Sequence, residues 1–157
     1  MEVLLKDKKF QAMQSRHCYE ILEHLIRKKI NFSILCNVDC VKFEPSLPQE
    51  IRNAFGELTL FILAGYTFES LELDGENLYF EAGFGEENLG SFVTAPLNSI
   101  VQILLSNHDS LQSDFCIYVN LFATFAKLKP NSMEEDEGIN SSMQALLANP
   151  KNKRFKK

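Results

Sequence analysis

The side chains best suited to chemistry are scattered rather than grouped. His17 and His24 lie seven residues apart, two turns of a helix, with Glu20 between them on the same side. Such a face could ligate a metal, and it equally describes solvated histidines beside a helical glutamate. Cys36 and Cys40 are four apart with no second pair at zinc-site spacing, so they read as small buried hydrophobes. A nucleophilic Cys40 would need a base and an orienting partner, and no local signature supplies them. Gly83-Phe84-Gly85 lacks the third glycine and the strand-to-helix setting of a dinucleotide loop. Glu86-Glu87 fits a solvated loop better than an acid–base pair. No Gly-x-Ser-x-Gly elbow and no phosphate loop occurs. The sequence therefore predicts no catalytic site, no metal site and no cofactor.

The elements that would position these residues suggest a binding protein. Residues 11–30 have the pattern of an amphipathic helix: Cys18, Ile21, Leu22 and Leu25 form one stripe, and Arg16, Glu20 and Arg27 take the other side. A strand follows over residues 31–38, and a shorter one holds Val41 and Phe43. Pro45 and Pro48 mark a loop. In the strand over residues 57–63, Leu58, Leu60 and Ile62 share one face, and Thr59, Phe61 and Leu63 the other. Both faces are largely apolar, so both should be covered. Residues 71–80 read as a hairpin turning at Asp74-Gly75. Strands follow at 89–95 and 115–122. The apolar run after Pro96 reads as a short helix over residues 97–106. This defines an α+β domain over residues 10–128, with a disordered, charged tail over 129–157.

Composition limits the partners. With 157 residues, 45% of them hydrophobic, the chain can build one core. In residues 1–130 acidic groups outnumber basic ones 17 to 11, which argues against a phosphate-neutralising surface. No run approaches the roughly 20 apolar residues of a membrane span. Four cysteines without a paired motif, and a start unlike a secretory signal, place the protein in a reducing cytoplasm. Thirteen phenylalanines can fill a core or line an apolar groove. Gly83 and Gly85 would let a peptide backbone approach Phe84.

In order along the chain, these features resemble the stringent starvation protein B family, adaptors that deliver tagged substrates to the ClpXP protease. The likeness runs from about His17 to Val119. It rests on the helix ending just before a strand, on Glu57-Leu58-Thr59-Leu60-Phe61-Ile62, and on the hairpin continuing into Glu81-Ala82-Gly83-Phe84-Gly85. It also rests on Phe92-Val93-Thr94-Ala95-Pro96. Gly83 stands where the family carries Arg, and the terminal segment is more basic than the family's. The resemblance implies an Sm-like or SH3-like half-open barrel behind the helix. It implies a homodimer formed through Cys18, Ile21, Leu22 and Leu25. It implies a substrate peptide in a groove of Phe61, Phe80, Ala82, Phe84 and Gly85. Lys153, Arg154, Phe155, Lys156 and Lys157 would dock an unfoldase. No enzyme activity is implied. The alternatives are a hot-dog-type acyl-thioester enzyme or acyl-CoA binder, its sheet wrapped around a long helix, and an interaction or chaperone domain for another cytoplasmic partner.

Overall fold

The computed structural model describes residues 2–106, 114–120 and 123, all within the compact unit Met1–Ala123. The tail, including Lys153–Lys157, lies outside the described residues, as do 121 and 122 of the expected last strand.

A one-turn helix α1 (Glu2–Leu5) leads into α2 (Lys8–Arg27). The Asp7 carboxylate caps α2 by accepting from the backbone N–H of Lys9 and Phe10, at 2.9 and 3.2 Å. The helix therefore starts three residues earlier than its apolar stripe suggests. It ends in a Schellman motif: Ile30 N–H donates to the Leu25 carbonyl and Lys29 N–H to that of Ile26. Lys29 takes the left-handed position, φ 58°, that glycine usually fills.

The strands form two antiparallel four-stranded sheets. The first contains β1 (Phe32–Asn37), β3 (Leu58–Leu63), β7 (Ile100–Leu105) and β8 (Phe115–Val119), in the order β3-β1-β7-β8. The second contains β2 (Lys42–Glu44), β4 (Glu72–Leu73), β5 (Asn77–Phe84) and β6 (Leu89–Pro96), in the order β2-β6-β5-β4. Their inner faces supply most of the core. Ile34, Phe61, Ile103 and Tyr118 of the first sheet and Phe43, Leu78, Phe80 and Val93 of the second are all buried. Cys18, Leu22 and Leu25 of α2 join the same cluster.

Two short helices were not legible. Pro48 opens α3 (Gln49–Ala54), its carbonyl accepting from Ile51 and Arg52 N–H. Gly65, at φ 58°, opens α4 (Gly65–Glu69).

Two expectations are corrected. Residues 97–106 are not a helix: a 3₁₀ turn at Leu97–Ser99 leads directly into β7. A short apolar run looks alike as a buried helix or a central strand, and here pairing with β1 and β8 decides it. Among the described residues, strand β3 is covered on one face only. Phe61 and Leu63 are buried, whereas Leu60 is 43% and Ile62 68% exposed.

Candidate functional site

The expected groove residues meet, but not as a groove. Phe61 packs on Phe80 and Phe84 at ring-centroid separations of 5.8 and 6.2 Å, and Phe43 lies 5.5 Å from Phe84. Phe55 of the segment after α3 closes the cluster, 6.0 Å from Phe84. Most of these contacts are edge-to-face, the arrangement that ring quadrupoles favour. Phe61 and Phe80 are buried, so no peptide can touch them without unfolding the core. Phe84 is half-buried against it.

The two glycines beside Phe84 serve the chain itself. A Cβ on Gly83 would fall 1.8 Å from Asn88 Oδ1, because the Asn88 side chain folds over it. Gly85 sits at φ +77° in the β5–β6 turn, with the end of Ile51 2.9 Å from where its Cβ would be. Both are consequences of a tight turn over α3.

An open site lies instead on the outer face of the second sheet, a cleft of about 410 Å³. Strand register builds it. Glu44 of β2, Phe92 of β6 and Glu81 of β5 stand in one row, and the next row is Gly83 opposite Gly90, which leaves a depression. Tyr66 of α4 forms one wall and donates its hydroxyl to Glu81 Oε2. That bond, more than the carboxylate's charge, holds the Tyr66 phenol above its usual range. The lining carries two carboxylates, Glu44 and Glu81, and no lysine or arginine. Phe92, 38% exposed, lies between them. The site is therefore anionic with an aromatic centre, suited to cationic or neutral groups.

Beside the cleft runs an open backbone edge. Strand β4 pairs only with Leu78 and Tyr79 of β5. Past it, Ser70 substitutes for a strand: its Oγ accepts from Glu81 N–H at 2.8 Å and donates to the Thr67 carbonyl at 2.7 Å. Peptide groups alternate along a strand, so Gly83 N–H points the same way as Glu81 N–H, away from β6. Among the described residues no strand pairs with that edge beyond Tyr79. Of the expected groove residues, only Ala82 lines the cleft.

The expected dimer stripe is also corrected. Cys18 and Leu22 are fully buried and Leu25 nearly so, and Ile21 packs against the same core. A helix cannot offer one face both to its own sheet and to a second copy. The opposite face carries the Arg16–Glu20 and Glu23–Arg27 pairs and is solvated.

The thiols divide by burial. Cys18 and Cys36 are buried, and Cys40 and Cys116 exposed, so only Cys36 is the small core residue expected of the 36/40 pair. Burial pushes the Cys18 thiol up to about 12 and the Cys36 thiol well above its ordinary range. His17 and His24 are exposed, and among the described residues no three His, Cys, Asp or Glu side chains converge to hold a metal ion. No described helix is long and apolar enough to cross a membrane.

Comparison of the sequence with protein-family models and with curated proteins finds no match to either.

Proposed function

We propose that the protein is a non-enzymatic peptide-binding adaptor, of the kind implied by the resemblance to stringent starvation protein B. In this reading it captures tagged or unfolded cytoplasmic substrates for an ATP-dependent, ClpXP-like protease. The observation that carries the reading is the open edge of β5 beside the cleft of Glu44, Glu81 and Phe92. An extended peptide adds to a free sheet edge through its main chain, and alternate side chains enter neighbouring pockets. Here the main-chain partner is Gly83, and the pocket favours basic or neutral side chains over acidic ones. Two four-stranded antiparallel sheets behind an N-terminal helix suit the Sm-like half-barrel of that family. The hot-dog alternative has less support. Its sheet needs a long helix to wrap, and α2 keeps Arg16 and Glu20 in solvent.

The test is titration of fluorescently labelled degradation-tag peptides against the protein, followed by degradation assays with a ClpXP-type protease. Saturable binding at roughly tens of micromolar or tighter is expected, weakened about tenfold in Glu81→Lys. Protease delivery should rise with binding. No saturable binding by any such peptide, or binding indifferent to Glu81→Lys, would sink the assignment while leaving the fold intact.

A further inference from the structure

One row on the outer face of the second sheet sets an aromatic ring between two carboxylates. Phe43, Phe80 and Val93 point into the core, so Glu44, Glu81 and Phe92, one residue along each strand, point outward. Neighbouring strands lie roughly 4.8 Å apart, which places the Glu44 and Glu81 backbones roughly 10 Å apart with Phe92 midway.

The ring and the carboxylates are held ready. Tyr79, one row away and outside the cleft, stacks on Phe92 with centroids 6.0 Å apart and planes at 20°, which fixes the tilt of the ring. Phe92 remains 38% exposed. The Tyr66 hydroxyl donates to Glu81 Oε2 and so orients that carboxylate, leaving Oε1 unpaired among the described residues. Neither Glu44 nor Glu81 is neutralised: the ion pairs among the described residues are Arg16–Glu20 and Glu23–Arg27, both on α2. Lys42 shares the outer face of β2 but does not line the cleft.

This arrangement selects among cations. The acceptors stand on opposite sides of the ring, so the group that satisfies both must carry donors on opposite edges. To lie on the ring between them it must also be flat. An ammonium is a compact, strongly hydrated point charge and meets one carboxylate at a time. A guanidinium is planar and more weakly hydrated, holds five donors in fixed directions, and stacks on aromatic faces.

We propose that the cleft is an arginine pocket. The guanidinium lies against Phe92 and donates to Glu81 on one side and Glu44 on the other. This assignment rests on the reading of the β5 edge as a peptide site, and it adds the side chain that such a peptide carries.

The test uses the full chain and fluorescent seven-residue peptides of alternating threonine and valine, with arginine, lysine, citrulline or glutamate at the centre. Citrulline keeps the shape of arginine and loses its charge. The arginine peptide should bind about tenfold tighter than the citrulline peptide and about threefold tighter than the lysine peptide. The glutamate peptide should bind weakest. Phe92→Leu and Glu44→Gln should each reduce the arginine-to-citrulline ratio to about threefold. Should either variant fail to fold, the peptide series on the unsubstituted chain decides alone. Equal affinity for arginine and citrulline overturns the arginine pocket and leaves binding at the β5 edge in place. Lysine binding as tightly as arginine, or a ratio untouched by both variants, overturns it as well. Failure of all four peptides also overturns it, and the adaptor reading then stands or falls on the degradation-tag titration. Arginine-selective binding without delivery to a ClpXP-type protease supports the pocket and removes the adaptor.

Discussion

The Tyr118 hydroxyl donates to the backbone carbonyl of Gln14 at 3.1 Å, tying the last described strand to α2 across 104 residues of chain. The phenol is largely buried beside Cys18, and burial raises it well above its usual range, so it stays protonated and donating. Removing only the oxygen isolates this bond. Tyr118→Phe should cost about 1 kcal/mol, the usual net value of one hydrogen bond, read from urea unfolding with an unchanged m-value.

Phe80 tests the correction made to the groove. It is fully buried and lies 5.8 Å from Phe61. Phe80→Ala should destabilise the fold by about 3–5 kcal/mol through lost burial and a cavity. Phe84→Ala, at the half-buried rim, should cost clearly less. An open groove would instead leave both substitutions near neutral for stability.

Thiol reactivity should separate the cysteines by burial. With a chromogenic disulfide at pH 8, Cys40 and Cys116 should react in the native protein and Cys18 and Cys36 only after denaturation. Cys116 should lag, because partial burial raises its thiol. Prompt reaction of Cys36 would show that the inner sheet faces open easily.

Acid should loosen the β4–β5 hairpin through Asp74. Its carboxylate accepts from the Tyr79 hydroxyl at 2.6 Å and from the N–H groups of Glu76 and Asn77 at 2.8 Å each. These bonds, the Tyr79 bond foremost, hold the carboxyl below its usual range. A depressed value means that the stabilisation is present above the ordinary aspartate range near about 4 and is lost as pH falls through the folded value. Wild type should therefore lose stability below about pH 4 more steeply than Asp74→Asn. Parallel acid-unfolding curves for the two would count against this role.

Lys29 occupies a left-handed position, φ 58°, at the end of α2. Relieving its Cβ is worth about 1–2 kcal/mol, partly offset by the greater freedom of glycine in the unfolded chain. Lys29→Gly should raise stability by about 0.5–1 kcal/mol, measured by thermal or urea unfolding.

What the sequence determined by itself was local. The stripe Cys18, Leu22 and Leu25 predicts α2, alternation predicts β1 and β3, and Asp74-Gly75 predicts the hairpin. Each follows from the fixed periods of helix and strand, which need no knowledge of neighbours. Tertiary structure decided what each apolar face meets. The α2 stripe has one periodicity whether it packs on its own sheet or on a second copy, and the sheet took it. Phe61 and Phe80 look the same in a core as in a groove until Phe43 and Phe55, distant in sequence, close over them. Residues 100–105, expected as part of a helix, became strand because β1 and β8 offered backbone partners on both sides. The cleft was equally out of reach, since Glu44, Glu81 and Phe92 align only through the register of three strands. Periodicity is a property of consecutive residues, and burial is a property of whatever the rest of the chain brings against them.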